Sequence, residues 1–505
     1  MKLALQIAIV MLFSTVQASA QYFNKLYDFE SSGDWGSTIL PVGSNYFICG
    51  SGSSANGDQF IGGMLVDNNG NKLAEKIIID KSGMRLESAG HVKRLSNGNY
   101  LANLVQIQNN ATGLSFYGGF ALLNPQFDTI FVKGYTDTTI HEEYIWGSDT
   151  MAGGNIILGA ILQYEGQSYN TNRCLLIKTN GSGDLIWKRT YAVPNSNLGT
   201  EFASVETQPD GKLLVGATTR QLKWNGQVPY HLNSPWFLLL DTSGNILHEK
   251  YYPIRYGGGS FVCKDNNGGY YHWGVLDTLL TGNPLNIENH PHYFAHLNDS
   301  FEFEWLYDFG RPNAKVRIWS VEQIRDSGYI VYGHEAKVGI QLRGYMARFG
   351  KTGNMLWERT YTLDTLYAAY IADVYERPDG GFILTGMHKS GGGALHTQDL
   401  WVLGVDSLGC PAVQCQWPTA VESLPTLTSG VEIYPNPTKG TFVVRQPGTC
   451  HYSLYDLQGR LIESRMLDAQ VNTIHLPANC TPGTYLVRCI LNDGSAFTNR
   501  LIFEP

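Results

Sequence analysis

Charge is what this chain of 505 residues has little of: only 16% is Asp, Glu, Lys or Arg, where about a quarter is usual. The net charge is −8 and no cluster of Lys or Arg appears. A protein that neutralises phosphates needs a basic surface, so nucleic acid is excluded as a partner. No stretch beyond the N-terminus reaches 18 apolar residues, so the mature chain is expected to hold no membrane helix. There are eight cysteines but no Cys-x-x-Cys, which leaves little room for a zinc or thioredoxin-like site. A Gly-x-Ser-x-Gly elbow and a phosphate-cradling glycine loop are also missing. His141-Glu142-Glu143 continues with Ile145 where a His-Glu-x-x-His metalloprotease needs its second histidine. No cofactor and no metal site is expected.

What is abundant is glycine, 56 residues, and aromatic residues, 12%. That mixture suits short strands joined by tight turns. The N-terminus has its own signature. Met1-Lys2 is a short basic start, Leu3 to Phe13 is apolar, and Ala18-Ser19-Ala20 is a small-x-small site before Gln21. This reads as a signal peptide over 1–20, cleaved between Ala20 and Gln21. Export permits disulfides. Cys410 and Cys415 flank Pro411 and suit a local staple, while Cys450, Cys480 and Cys489 suggest one pair plus one free thiol.

A repeat fixes the architecture. A strand recurs that closes at 50, 103, 159, 216, 274, 333 and 386, in steps of 53 to 59 residues. Six of these seven closing residues are glycine; position 103 is Asn. Turn residues such as Asp326-Ser327-Gly328 and Pro378-Asp379-Gly380 precede it. A second strand follows, as in Trp236 to Asp241, then a turn such as Asp241-Thr-Ser-Gly244, then a strand such as Leu185 to Tyr191 or Met355 to Tyr361. Another strand, such as Ile318 to Glu322, leads into the next glycine. Four strands in each of seven repeats predict an all-β chain built on a seven-bladed β-propeller over 21–417. The seventh repeat lacks its last strand, and Phe23 to Phe29 matches Phe303 to Phe309, with Leu-Tyr-Asp-Phe identical. The N-terminal strand is therefore expected to close the ring. An open solenoid would need capping repeats instead.

A polar linker over 418–430 leads to a small β-sandwich over 431–505, with alternating strands such as Gly483 to Arg488. Tyr434-Pro435-Asn436-Pro437 with Gly440, then Gly459-Arg460, then Gly483-x-Tyr485 recur in that order. These residues closely resemble the type A sorting domain of the type IX secretion system of Bacteroidetes-type bacteria. The resemblance implies the type IX machinery as a partner and export across the outer membrane, followed by release or attachment to the cell surface.

Loops after the glycine strand and loops leading into the next repeat are long and emerge on one face, the expected binding face. They carry Phe116, Tyr117, Tyr164, Tyr169, Trp224, Tyr230, Trp236 and Tyr293. Flat rings among amides suit a glycan or peptide ligand, or they pin the loops. His290, His292 and His296 are dense, but Pro291 interrupts them and a hydrogen-bonded role fits better than a metal. Ser32-Gly-Asp-Trp-Gly-Ser-Thr38 is similar to the Asp-box of sialidase-type propellers, but it occurs once and Ile39 stands where that motif has Trp. The preferred reading is a non-catalytic module that binds a glycan, peptide or matrix protein. A hydrolase or lyase with carboxylates at the channel mouth, and a purely structural surface protein, are the alternatives. A cluster of perturbed carboxylates on the loop face would favour the enzyme; an aromatic shelf without one would favour binding.

Overall fold

The computed structural model describes residues 22–28, 33–53, 59–80, 84–86, 92–110, 113–135, 142–163, 172–193, 198–224, 229–252, 259–275, 292–311, 314–337, 340–363, 368–390, 397–412, 431–446, 448–456, 461–477, 480–491 and 496–504. The chain divides into two compact units, Met1–Trp417 and Pro418–Pro505. Helix is nearly absent among the described residues, limited to one short 3-10 turn at Ala152–Gly154. Among the described residues no helix is long and apolar enough to cross a membrane.

The first unit is a succession of antiparallel meanders. Among the described residues, five sheets have four strands each, and a sixth has nine. The nine-stranded sheet has two halves joined by one parallel bridge, Glu142 to Phe116. The sheet formed by Ala369–Glu376, Phe382–Ser390 and Thr397–Val405 takes its fourth strand from the other end of the chain. Phe23–Tyr27 pairs antiparallel with Thr397–Val405, Phe23 opposite Gly404 and Tyr27 opposite Leu400. Asn24 Oδ1 also accepts a hydrogen bond from the Trp401 indole, 2.6 Å. The edge of that sheet is thereby covered.

One device recurs at the joints between sheets. The turn between third and fourth strands is closed by an Asx side chain: Asp67 Oδ1 accepts from Asn69 N and Asn71 N, and Asp241 Oδ1 from Ser243 N and Asn245 N. Gly70 and Gly244 end these turns with φ of 68° and 82°. The missing Cβ leaves room for a ring from the preceding sheet, Phe23 on Gly70 and Trp187 on Gly244. A tyrosine hydroxyl completes each joint: Tyr191 donates to Gly244 O at 2.8 Å, Tyr361 to Gly409 O at 2.8 Å, and Tyr27 to Gly70 O. The joint between the last and first sheets thus uses the same contacts as the others. Where the turn carries Phe301 in place of glycine, at φ 60°, its own ring stacks on His248 instead.

The core lies between sheets. Leu213, Val215, Trp236 and Leu238 are buried in one cluster, Tyr332, Met346, Trp401 and Leu403 in another. Burial of each such side chain stabilises by about 1.5–3 kcal/mol. Trp236 is 0% exposed, and its indole donates to Glu249 Oε2 at 3.0 Å.

The second unit has a three-stranded sheet, Glu432–Tyr434, Thr441–Arg445 and Val471–His475, and a four-stranded sheet ending in Ala496–Phe503. Phe442, Tyr452, Ile474, Val487 and Leu501 form its core. The cysteine expectation needs correcting here. Cys450, Cys480 and Cys489 are all free thiols. Cys450 stands opposite Leu491 and Cys489 opposite Tyr452, so the two are diagonal rather than facing neighbours. The Cys450 thiol hydrogen-bonds Gln446 and also the Cys489 thiol. Cys410 is disulfide-bonded, while Cys415 lies outside the described residues.

Candidate functional site

The repeated glycine has a steric cause, and that cause shapes the site. In five sheets the first strand carries a bulge opposite this glycine. The residues left out of register are Ser37, Trp146, Ala203, Trp319 and Ala372. The bulge brings a backbone carbonyl onto the second strand. A Cβ at Gly50 would collide with Trp35 O, one at Gly333 with Arg317 O, and one at Gly386 with Tyr370 O. Only glycine admits that approach. A bulge re-aims the side chain it carries, and all five of these residues line one or both of two cavities.

The first cavity, about 530 Å³, lies where the first strands of three sheets begin. Trp35, Gly36 and Ser37 come from Trp35–Val42, Lys315, Arg317 and Trp319 from Ala314–Gln323, and Tyr370, Ile371 and Ala372 from Ala369–Glu376. His334, Leu342 and Met387 complete much of the wall. This is the end of the sheets from which the long loops emerge. The alternation in Ala314–Gln323 explains the chemistry: Val316 and Ile318 point into the core, while Arg317 and Trp319 are exposed, Trp319 by 41%.

Trp319 is held in place by His334. The indole donates to His334 Nδ1 at 2.9 Å, so the proton of the neutral ring sits on Nε2. Burial drops His334 to about 4, and the charge of Arg317 pushes the same way. Tyr370 packs edge-on against the imidazole with ring centroids 4.7 Å apart. Among the described residues Lys315 and Arg317 have no carboxylate partner, and no Asp or Glu lines the cavity. The Trp35 indole nitrogen is buried without an acceptor among them.

The second cavity, about 560 Å³, meets the first at Trp319 and Ala372 and extends toward the short-turn end. It carries Asp149, Glu206 and Glu322 together with Lys93 and Cys263. These carboxylates have structural partners. Asp149 Oδ2 accepts from Thr207 N at 2.7 Å, and its Oδ1 pairs with Lys93 at 3.3 Å. Glu206 Oε2 accepts from Lys264 N at 2.8 Å, and burial raises its pKa. Each bond stitches one first strand to the first strand of the next sheet.

The aromatic residues expected from the loops fare unevenly. Trp236 and Tyr293 are each 0% exposed and cannot face a ligand. Tyr293 hydrogen-bonds His272, which burial drops to about 3. Both sit inside strands that are covered on two faces, not in the loops. Trp224 and Tyr230 lie on a long hairpin, Leu213–Trp224 with Pro229–Leu240, and Phe116 and Tyr117 on Gly113–Leu123; their side chains lie outside the described residues. Tyr164, Tyr169, Ala20 and Gln21 lie outside them as well. His296 is engaged by Glu304 Oε2 and by Gly268 O, both at 2.8 Å, and a hydrogen bond with Asp265 raises its pKa. The residues the sequence reading missed are Trp35, Lys315, Arg317, Trp319, His334 and Tyr370. For Lys315, Arg317 and Trp319 the signal was the alternation of cation, apolar residue and Trp in Lys315 to Trp319.

The sorting motif has a visible structural role. Asn436 Nδ2 donates to Arg500 O at 2.6 Å and its Oδ1 accepts from Ile502 N at 2.8 Å. Thr438 N donates to Ile502 O, and Thr438 O accepts from Glu504 N. Tyr434-Pro435-Asn436-Pro437 thus clasps the last strand. Gly440, at φ 101°, ends the turn and its carbonyl accepts from Leu476 N. Tyr485 donates to Thr481 O at 2.6 Å. Gly483 opens the strand Gly483–Leu491, while Gly459 and Arg460 lie outside the described residues.

Residues 432–504 match the family model described as "Secretion system C-terminal sorting domain". The chain carries a type IX sorting domain, and the protein is exported across the outer membrane, to be secreted or attached to the surface. No curated protein matches the chain. Among solved structures, a protein of unknown function from Dyadobacter fermentans is 10% identical, with 64% of this chain and 99% of that one covered and a TM-score of 0.38. One from Bacteroides caccae is 10% identical, covering 61% and 91%, at 0.34. A β-fructofuranosidase from Bombyx mori is 8% identical, covering 77% and 91%, at 0.30. At such scores the likeness carries no argument about activity.

Proposed function

We propose that residues 21–417 form a seven-bladed β-propeller that binds a ligand, without catalysis, in the cavity at its loop end. Splitting the nine-stranded sheet at its single bridge supports the count: one half has four strands, and the other has four once Met84–Leu86 and Lys93–Arg94, which both pair with Tyr100–Asn110, are taken as one interrupted first strand. In the same reading the signal peptide 1–20 is removed at Ala20–Gln21, and the sorting domain 431–505 follows a linker over 418–430. The observation that carries the binding role is an aromatic shelf of Trp35, Trp319 and Tyr370 beside two unpaired cations, with no carboxylate among the described lining residues. A concave site of this size with few polar groups is the usual form of a small-molecule site.

The hydrolase reading is weaker on one specific point. The carboxylates stand in the other cavity, and Asp149 and Glu206 already accept backbone N–H groups. The decisive experiment is an array of glycans, peptides and small acids probed with the mature full chain and with Trp319→Ala. Hits that the substitution abolishes, at unchanged melting temperature, are expected. Silence across the array, or hits that survive the substitution, overturns the proposal.

A further inference from the structure

We propose that this cavity takes an organic acid with an apolar body, its carboxylate held by Arg317 and Lys315 and its body laid among Trp35, Trp319 and Tyr370. The inference rests on the binding reading above and specifies its ligand. The first argument is charge. Two cations on one strand, two residues apart, face one cavity without an anionic neighbour among the described residues. Like charges so placed repel, and an anion in the cavity relieves both at once. The imidazole of His334 adds no third charge, because it already accepts the Trp319 indole and is kept neutral by burial.

The second argument is what the wall lacks. Sugar hydroxyls are read by carboxylates and carboxamides, and no Asp, Glu, Asn or Gln lines this cavity among the described residues. The neutral polar groups are few, chiefly Ser37, His334 and Tyr370, while Ile371, Leu342 and Met387 supply apolar surface. A neutral saccharide would leave most of its hydroxyls without partners, at a cost for each one buried.

This chemistry has two sources: a small free acid, or the C-terminal carboxylate of a peptide ending in an apolar residue. Calorimetry on the mature full chain separates them. The probes are 3-phenylpropionate and its amide, acetyl-Gly-Gly-Phe with a free or an amidated C-terminus, and mannobiose. Binding of either acid form, about tenfold or more tighter than its amide, weakened by salt and by Arg317→Ala, is expected. Which acid form binds identifies the source. Equal binding of acids and amides, or binding of mannobiose alone, overturns the acid and leaves the binding cavity standing. Binding untouched by both Arg317→Ala and Trp319→Ala overturns the cavity reading itself. No heat from any probe overturns the acid, and the array above then decides the cavity separately.

Discussion

The two adjoining cavities share only the strands Ala314–Gln323 and Ala369–Glu376, and they treat polar groups in opposite ways. On the turn side of the bulges, acids are used up by the fold: Asp149 accepts Thr207 N, Glu206 accepts Lys264 N, and Asp373 accepts Ile39 N. On the loop side, Lys315 and Arg317 meet no carboxylate among the described residues. A polar group that bonds the backbone of the next sheet is part of the joint. A cation left without a partner at a concave site contributes nothing to the joint, and that is the ground for the ligand proposed above. The contrast also appears within one register position. Glu201 stands two residues before the bulge in its strand, as Arg317 does in its own, but Glu201 pairs with Arg220 at 2.7 Å.

The strongest way to break this comparison is at Asp373. Its carboxylate accepts from Ile39 N at 2.7 Å, Val374 N at 2.8 Å and the Tyr332 hydroxyl at 3.2 Å, all buried. Asp373→Ala orphans these donors at the joint between the last and first sheets and is expected to cost about 3 kcal/mol, read by urea denaturation. Glu206→Ala removes one such acceptor and is expected to cost about 2 kcal/mol. A ligand held at the loop end should bind equally well to both variants while they remain folded. Loss of binding in folded Glu206→Ala would place the ligand in the acidic cavity and favour the enzyme.

Acidity sharpens the same contrast. Burial raises Asp373 to about 7, against an ordinary 3.8. A group that holds its proton more tightly when folded favours the fold most below the lower value, and that advantage is lost as pH rises through the higher one. Relative to Asp373→Asn, the native chain should therefore lose stability between pH 4 and 7. Parallel stability curves for the two proteins over that range would show that Asp373 does not titrate there.

How much of this could be read from the sequence depends on which forces set each feature. The strands, the Asx turns and the N-terminal strand were legible because they follow local patterns: apolar alternation, Asp-x-x-Gly, and the shared Leu-Tyr-Asp-Phe. The meaning of the recurring glycine was not, because it answers a carbonyl from another strand. Nor could the site be assembled, since Trp35, Trp319 and Tyr370 come from three sheets and meet only where those sheets pack together. Trp236 and Tyr293 misled for a related reason. They follow long insertions in the sequence, yet the strand begins before them and buries both.

The smallest effect is the most telling. Arg317→Ala removes a charge that no described carboxylate balances, from an exposed position on Ala314–Gln323. An exposed side chain with no partner changes stability by less than about 0.5 kcal/mol when truncated, and here it also ends a repulsion with Lys315. The expected denaturation midpoint is therefore that of the native chain or slightly above it. A loss as large as that of Glu206→Ala would mean that Arg317 works in the joint after all. The two cavities would then be alike, and the cations would need no ligand to explain them.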